Sequence, residues 1–301
     1  VGGNFVRAFK SITLEDKQII DSYFSAKHYE NSEYSFTNLF MWAPHYYFKY
    51  AIIKDHLCII GSYRNQYPFA FNPWSKGEAD YESIIPKLAE IMAGSGNPLV
   101  LKYISEDIKN EIDKAMPGRF IFREDRNNFD YIYLTKDLIN LEGNKYHQKR
   151  NHINKFINSY EYEYEEINDK NIDDCIRLEM EWHAQRSSME KLPEEHDAIK
   201  LVLSNYKSLD LKGAALRING KIQAFTVGGL LNPNMAVIHI EKANIEYNGI
   251  YAMINQQFAA NAWSNVKYIN REEDMGIPGL RKSKLSYHPY KMGKKYIGFY
   301  I

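Results

Sequence analysis

Residues Tyr268–Lys295 read YINREEDMGIPGLRKSKLSYHPYKMGKK. An apolar-flanked strand over Val266–Ile269 runs into three consecutive acids, Glu272, Glu273 and Asp274. A glycine turn, Met275–Gly279, follows. Then come six cations with no acid among them: Arg281, Lys282, Lys284, Lys291, Lys294 and Lys295. A buried core does not need such an order of charges. A charged surface hairpin accommodates it. A site that handles a proton at one end and an anion at the other accounts for it equally well.

Working outward, the 301 residues suit two domains and a sizeable core without disulfide or metal staples. The formal net charge of zero speaks against nucleic-acid binding through bulk charge. The 24 tyrosines cover apolar surface while keeping a polar tip, which suits half-buried sheets and also stacking on bases or sugars. Cys58 and Cys175 sit among apolar residues and read as small buried hydrophobes. Without CxxC or paired-histidine spacing, neither zinc nor a disulfide framework is expected. No apolar run is long enough for a membrane helix and no signal peptide is visible, so a soluble, cytoplasmic protein is expected.

The element order predicts a mixed α/β or α+β fold. In the first half, helices are expected at Leu14–Ala26 and Phe36–Trp42, the latter stopping before Pro44. Strands follow at Tyr46–Ile53, Leu57–Gly61 and Pro68–Phe71, then a helix at Tyr81–Ala93, a strand at Leu99–Tyr103, a helix at Glu106–Ala115, and strands at Phe120–Arg123 and Phe129–Leu134. The second half repeats this order. It comprises a helix at Lys145–Tyr160, a strand at Tyr160–Ile167, helices at Ile172–Arg186 and from Pro193, and a hairpin (Ala214–Ile218, Lys221–Leu230) across Asn219-Gly220. A strand at Met235–Lys242, a helix at Gly249–Ser264, the strand Val266–Asn270 and a last hairpin within Tyr287–Tyr300 complete it. The boundary is expected near 135–141, giving domains 1–135 and 136–301.

Several residue types stand where packing alone does not ask for them. Lys149 and Arg150 fall on the apolar stripe of their helix, where a cation is costly unless it finds a partner. They either snorkel at the helix end or form a wall that holds a phosphate. Glu179 shares an apolar face with Cys175, Trp182 and His183. It is either a desolvated base or the partner of Arg186 or of a neighbouring strand. His239 and Glu241 lie on one side of a strand, as base and orienter or as a core network. Gly249 opens a helix whose free N–H groups suit an anion. No serine or cysteine has an activating neighbour, so a hydrolase of that type is not expected.

Strand, two helices, hairpin, strand, loop-to-helix, strand is the order of the GNAT acyltransferase fold. Of that family's Q/R-x-x-G-x-G/A pyrophosphate pattern, Glu246, Gly249 and Tyr251 retain only the central glycine, which argues against coenzyme A. Gly279-Leu280, Lys284 and Tyr287 resemble the G-L-x-x-x-K-x-x-F/Y ending of aminoacyl-tRNA-dependent transferases, namely the Fem enzymes and the C-terminal domain of phosphatidylglycerol lysyltransferase. Tyr34-Ser35-Phe36, Lys149-Arg150-Asn151-His152, His239-Ile240-Glu241-Lys242 and Asn270-Arg271-Glu272-Glu273-Asp274 are similar to the second group. The resemblance implies two tandem GNAT-like domains, aminoacyl-tRNA as donor rather than a tightly bound cofactor, and a lipid headgroup or small hydroxyl or amine as acceptor. It implies that Lys284 meets the oxyanion or donor phosphate and that Arg281 and Arg150 hold phosphate. Glu241, or one of Glu272, Glu273 and Asp274, takes the acceptor proton. An acetyl-CoA-dependent N-acetyltransferase and a non-catalytic anion- or RNA-binding protein are the alternatives on the same fold.

Overall fold

The computed structural model describes residues 9–64, 66–185 and 193–301. Two compact units emerge. The first runs to Asp130 and takes in Glu273–Gly276 and Gly293–Ile301. The second comprises Tyr131–Glu272 and Ile277–Met292.

The sheet of the first unit is built from β1 (Lys10–Ser11), β2 (Lys49–Ile53), β3 (His56–Gly61), β4 (Phe69–Ala70), β5 (Trp74–Ser75), β6 (Val100–Ser105) and β7 (Phe120–Glu124). The sheet of the second holds β8 (Asp130–Leu134), β9 (Glu163–Glu166), β10 (Lys212–Ile218), β11 (Lys221–Asn232), β12 (Met235–Ala243), β13 (Tyr268–Asn270) and β14 (Lys291–Gly293). The last strand, β15 (Lys295–Tyr300), lies in the first sheet between β6 and β7.

Read from β1 and from β9, the two sheets show the same succession of pairings. Three antiparallel contacts are followed by one parallel contact, β4 with β6 or β12 with β13, and then by an antiparallel one. The strand after the parallel pair is β15 in the first sheet and β8 in the second. The mixed α/β architecture expected from the element order is therefore present twice.

Two tight turns join neighbouring strands, and the second is the Asn219-Gly220 turn expected from the sequence. Lys54-Asp55 and Asn219-Gly220 each join strands paired up to the turn, and all four residues have positive φ. That is the primed-turn geometry that matches strand twist.

Two expectations fail. The helix starting at Phe36 runs on to Tyr46 with Pro44 inside it. Pro44 forfeits its own N–H bond and crowds the carbonyl four residues before it, but the extra turn sets Tyr46 against Phe48 and Tyr63 at ring separations of 5.3 and 4.8 Å. The ending is not a hairpin either. Pro278 opens a helix, Pro278–Leu285, at a position where its missing N–H costs nothing. β14 and β15 then go to different sheets. Both cysteines are buried as expected, and burial pushes each thiol up to about 12.

In the second unit the helix Ile250–Ala262 packs on β10, β11 and β12 and against the helices Thr135–Asn140 and His147–Ser159. The helix Ile172–Gln185 packs on β11 and β12. No helix among the described residues is long and apolar enough to cross a membrane.

Candidate functional site

Strand alternation puts His239 and Glu241 on one side of β12 and turns Lys242 to the other, where its ammonium lies 3.6 Å from the centre of the Trp182 ring. Glu241 Oε1 accepts from Arg271 Nη2 at 2.9 Å, and Oε2 accepts from Asn255 Nδ2 at 3.2 Å. Arg271 leaves the end of β13, and its N–H donates to the Tyr131 carbonyl. Its guanidinium lies 4.9 Å from the Tyr287 ring centre and 5.8 Å from that of Tyr133. Burial works against its charge, but the Glu241 carboxylate outweighs that and holds the guanidinium as a cation. Next along, His239 Nδ1 lies 2.8 Å from Glu272 Oε1, and the His239 side chain is buried.

Two polar atoms of this cluster are buried without a hydrogen-bond partner among the described residues: Arg271 Nη1 and Asn255 Oδ1. One is a donor and the other an acceptor, and each belongs to a partner of the same carboxylate. Buried polar groups are nearly always satisfied. Such a pair offers one donor and one acceptor to a polar ligand or to water.

Lys149, from the helix His147–Ser159, reaches the same place. Its ammonium lies 3.9 Å from the Tyr287 ring centre. Burial, then repulsion from Arg271, lowers its pKa to about 8 against the pull of Glu241. An amine in this state exchanges a proton near neutrality. Arg150 faces elsewhere, donating to the carbonyls of Leu141 and Gly143 at 2.5 and 2.7 Å, where it closes the end of the helix Thr135–Asn140.

Lys284 is almost completely buried. Its ammonium donates to the Arg271 carbonyl at 2.5 Å and lies 5.7 Å from the Tyr131 ring centre. Among these contacts it braces the strand end that carries Arg271. Arg281, three residues before it on the same helix, is half-buried. Asp274 belongs to the first unit, where its carboxylate accepts from Arg126 Nη1 at 3.1 Å and from the Gly276 N–H at 2.8 Å. The acidic run is thus divided: Glu272 pairs with His239 in one unit and Asp274 with Arg126 in the other. Glu179 is buried, with Oε1 3.5 Å from His196 Nδ1, and Arg186 lies outside the described residues.

Gly249 has φ +89°, and a Cβ there would stand 2.2 Å from the His152 carbonyl oxygen. This glycine lets two helices approach. Gly249→Ala is expected to lower stability by roughly 2–4 kcal/mol, through left-handed backbone strain together with overpacking. Urea unfolding measures it, and a loss below about 0.5 kcal/mol, the scale of a surface substitution, contradicts the close-approach account.

Arg271, Asn255 and Tyr287 complete the cluster although sequence reasoning gave none of them a catalytic or binding role. The available signal was Arg271 itself, a cation at the strand end immediately before the three acids.

Comparison with known proteins agrees with this architecture. The family model described as phosphatidylglycerol lysyltransferase, C-terminal, matches residues 25–299. An uncharacterised protein of Mycoplasmoides gallisepticum is 29% identical over 179 residues, a match spanning 59% of this chain and 57% of that protein's length. A conserved protein of unknown function from Bacteroides thetaiotaomicron shares 37% identity and superposes with a TM-score of 0.90, covering 97% of this chain and 99% of that one. The C-terminal domain of a putative lysylphosphatidylglycerol synthetase from Agrobacterium fabrum shows 13% identity and a TM-score of 0.66, covering 95% and 92%. A tandem GNAT protein from the clavulanic acid biosynthesis pathway shares the fold at 8% identity, with a TM-score of 0.53 and coverage of 96% and 97%. The fold is that of two tandem GNAT acyltransferase-like domains, and the chain belongs to the phosphatidylglycerol lysyltransferase C-terminal family.

Proposed function

We propose that this protein is an aminoacyltransferase. It moves an aminoacyl group from aminoacyl-tRNA to a hydroxyl or amine on a lipid headgroup or small molecule. The observation that carries the reading is the buried Arg271–Glu241 pair, whose Arg271 Nη1 has no partner among the described residues, beside a Lys149 amine that titrates near 8. The family resemblance supplies the donor and acceptor classes.

In this mechanism the acceptor oxygen or nitrogen bonds to the acyl carbon of the donor ester, and the ester C–O bond to the tRNA ribose breaks. Negative charge gathers on the carbonyl oxygen, and Arg271 Nη1 donates to it. Lys149, as the neutral amine, takes the acceptor proton and returns it to the ribose oxygen as that leaves. Glu241 holds the guanidinium in place and keeps its charge. Lys284 fixes the strand end from which Arg271 projects.

The test incubates the protein with charged tRNA and phosphatidylglycerol vesicles or water-soluble amines, with a parallel arm containing acetyl-CoA. Transfer from tRNA is expected, and acetyl transfer alone overturns the reading. A base acts when deprotonated, so kcat/KM should rise with pH and level off above about 8, following the lowered Lys149 pKa. Lys149→Arg, which cannot lose its proton in this range, should abolish that rise. A rise that survives in the variant assigns the proton to another group.

A further inference from the structure

We propose that Glu179, His183 and His196 bind one divalent transition-metal ion of the zinc type, a site separate from the Arg271 cluster.

Glu179 and His183 stand four residues apart on the helix Ile172–Gln185, so they project from one face. His196 comes from the first turn of the next helix, Pro193–Ser204. One ligand atom from each residue lies within 4.8 Å of the other two. The two imidazole rings stack, with centroids 4.9 Å apart and planes at 27°.

The separation between His196 Nδ1 and Glu179 Oε1 is 3.5 Å. A charge-assisted hydrogen bond between such groups closes to about 2.7–2.9 Å. Two ligands on a tetrahedron with bonds of about 2.1 Å stand roughly 3.4 Å apart. The spacing fits shared ligation better than a direct bond.

The donor set points to the class of ion. Two imidazoles and one carboxylate suit zinc and its neighbours, whereas magnesium and calcium take oxygen ligands. Three protein ligands with one open position is an arrangement zinc accepts, with water as the fourth ligand. The carboxylate is only 2% exposed, so an ion would meet little competition from bulk water. The nearby cation Lys242 is matched by Glu195, 2.9 Å away, and lies over Trp182, so the local charge leaves room for a dication. No cysteine takes part and the third ligand comes from a separate helix, which is why the linear spacing of the chain does not advertise the site.

The experiment strips the full chain with chelator and titrates it with cobalt(II) and then zinc(II) alone. One cobalt per chain is expected, with the visible ligand-field bands of a four-coordinate ion, displaced stoichiometrically by zinc, and thermal stability should rise with metal concentration. His183→Ala and His196→Ala should each weaken binding by more than the roughly 10–100-fold that follows loss of a ligand's outer partner. Absence of a stoichiometric cobalt spectrum in the wild-type chain overturns the proposal without recourse to any variant. So does undiminished binding in the His183→Ala/His196→Ala double variant. Either result assigns the cluster to a buried carboxylate–histidine pair.

Discussion

Arg271→Ala is expected to reduce aminoacyl transfer by roughly 100- to 1,000-fold, the usual cost of removing a donor aimed at a developing oxyanion. The loss should fall on kcat more than on KM, because the charge that Arg271 meets is greatest in the transition state. Arg271→Lys should recover only part of it. An ammonium can pair with Glu241, but it has no planar fork with which to hold that carboxylate and reach a second oxygen together. The substitution also strips a mostly buried carboxylate of its cation, so a folding defect must be separated from a chemical one. Arg271→Met combined with Glu241→Gln removes both charges and should fold with near-normal stability while remaining inactive. If the double variant keeps transfer within about twofold of wild type, the donor role is wrong. The pair is then a structural one of the buried kind, whose replacement by uncharged residues is often neutral.

The residues that define local geometry were the most legible in the sequence. Asn219-Gly220 marks a hairpin because few residues adopt positive φ, and the strands around it pair as expected. His239 and Glu241 share a side because strand alternation leaves no choice. What sequence could not show was where the chain goes after Pro278. The cations following the acidic turn looked like one patch. In the fold Lys284 is buried in the second unit, while Lys295 is buried in the first, at the head of a strand that completes the other sheet. A strand order that exchanges β8 and β15 between sheets is set by long-range pairing, which leaves no local periodicity to read. The role of Arg271 is hidden from a sequence reading for a related reason. Its meaning comes from Glu241, thirty residues earlier, and from the orphaned Nη1, and neither is a property of its neighbours in sequence.

Lys295→Met is expected to destabilise the protein by about 3–5 kcal/mol, the cost of breaking a buried ion pair from one side. The ammonium is fully buried. It donates to Glu33 Oε1 at 2.7 Å, to Asp130 Oδ1 at 2.8 Å and to Ser32 Oγ at 3.2 Å. Asp130 also accepts from the N–H and the hydroxyl of Ser32 at 2.8 and 2.9 Å. One cation therefore faces two carboxylates in a dry interior, and the second carboxylate is inexpensive only when it carries a proton. Burial accordingly raises Glu33 to about 8, against the pull of Lys295 and with added repulsion from Asp130 and Glu273. A carboxyl whose folded pKa lies above its unfolded value of 4.5 contributes stability that is complete below that value and is lost as pH rises through about 8. Lys295 is shifted upward as well: burial lowers its pKa, but Asp130 and then Glu33 outweigh that, so its own contribution persists across this window. Urea unfolding of the wild-type chain should therefore show a stability component that declines between about pH 5 and pH 8 and disappears in Glu33→Gln. In the Lys295→Met background, adding Glu33→Gln should restore part of the loss at alkaline pH, where Glu33 would otherwise ionise beside Asp130 without a counter-charge, and little of it near pH 7, where Glu33 is already neutral. A Lys295→Met effect below about 1 kcal/mol, the range of solvent-exposed pairs, contradicts the buried cluster. A large effect with no rescue by Glu33→Gln leaves Asp130 alone as the partner that matters.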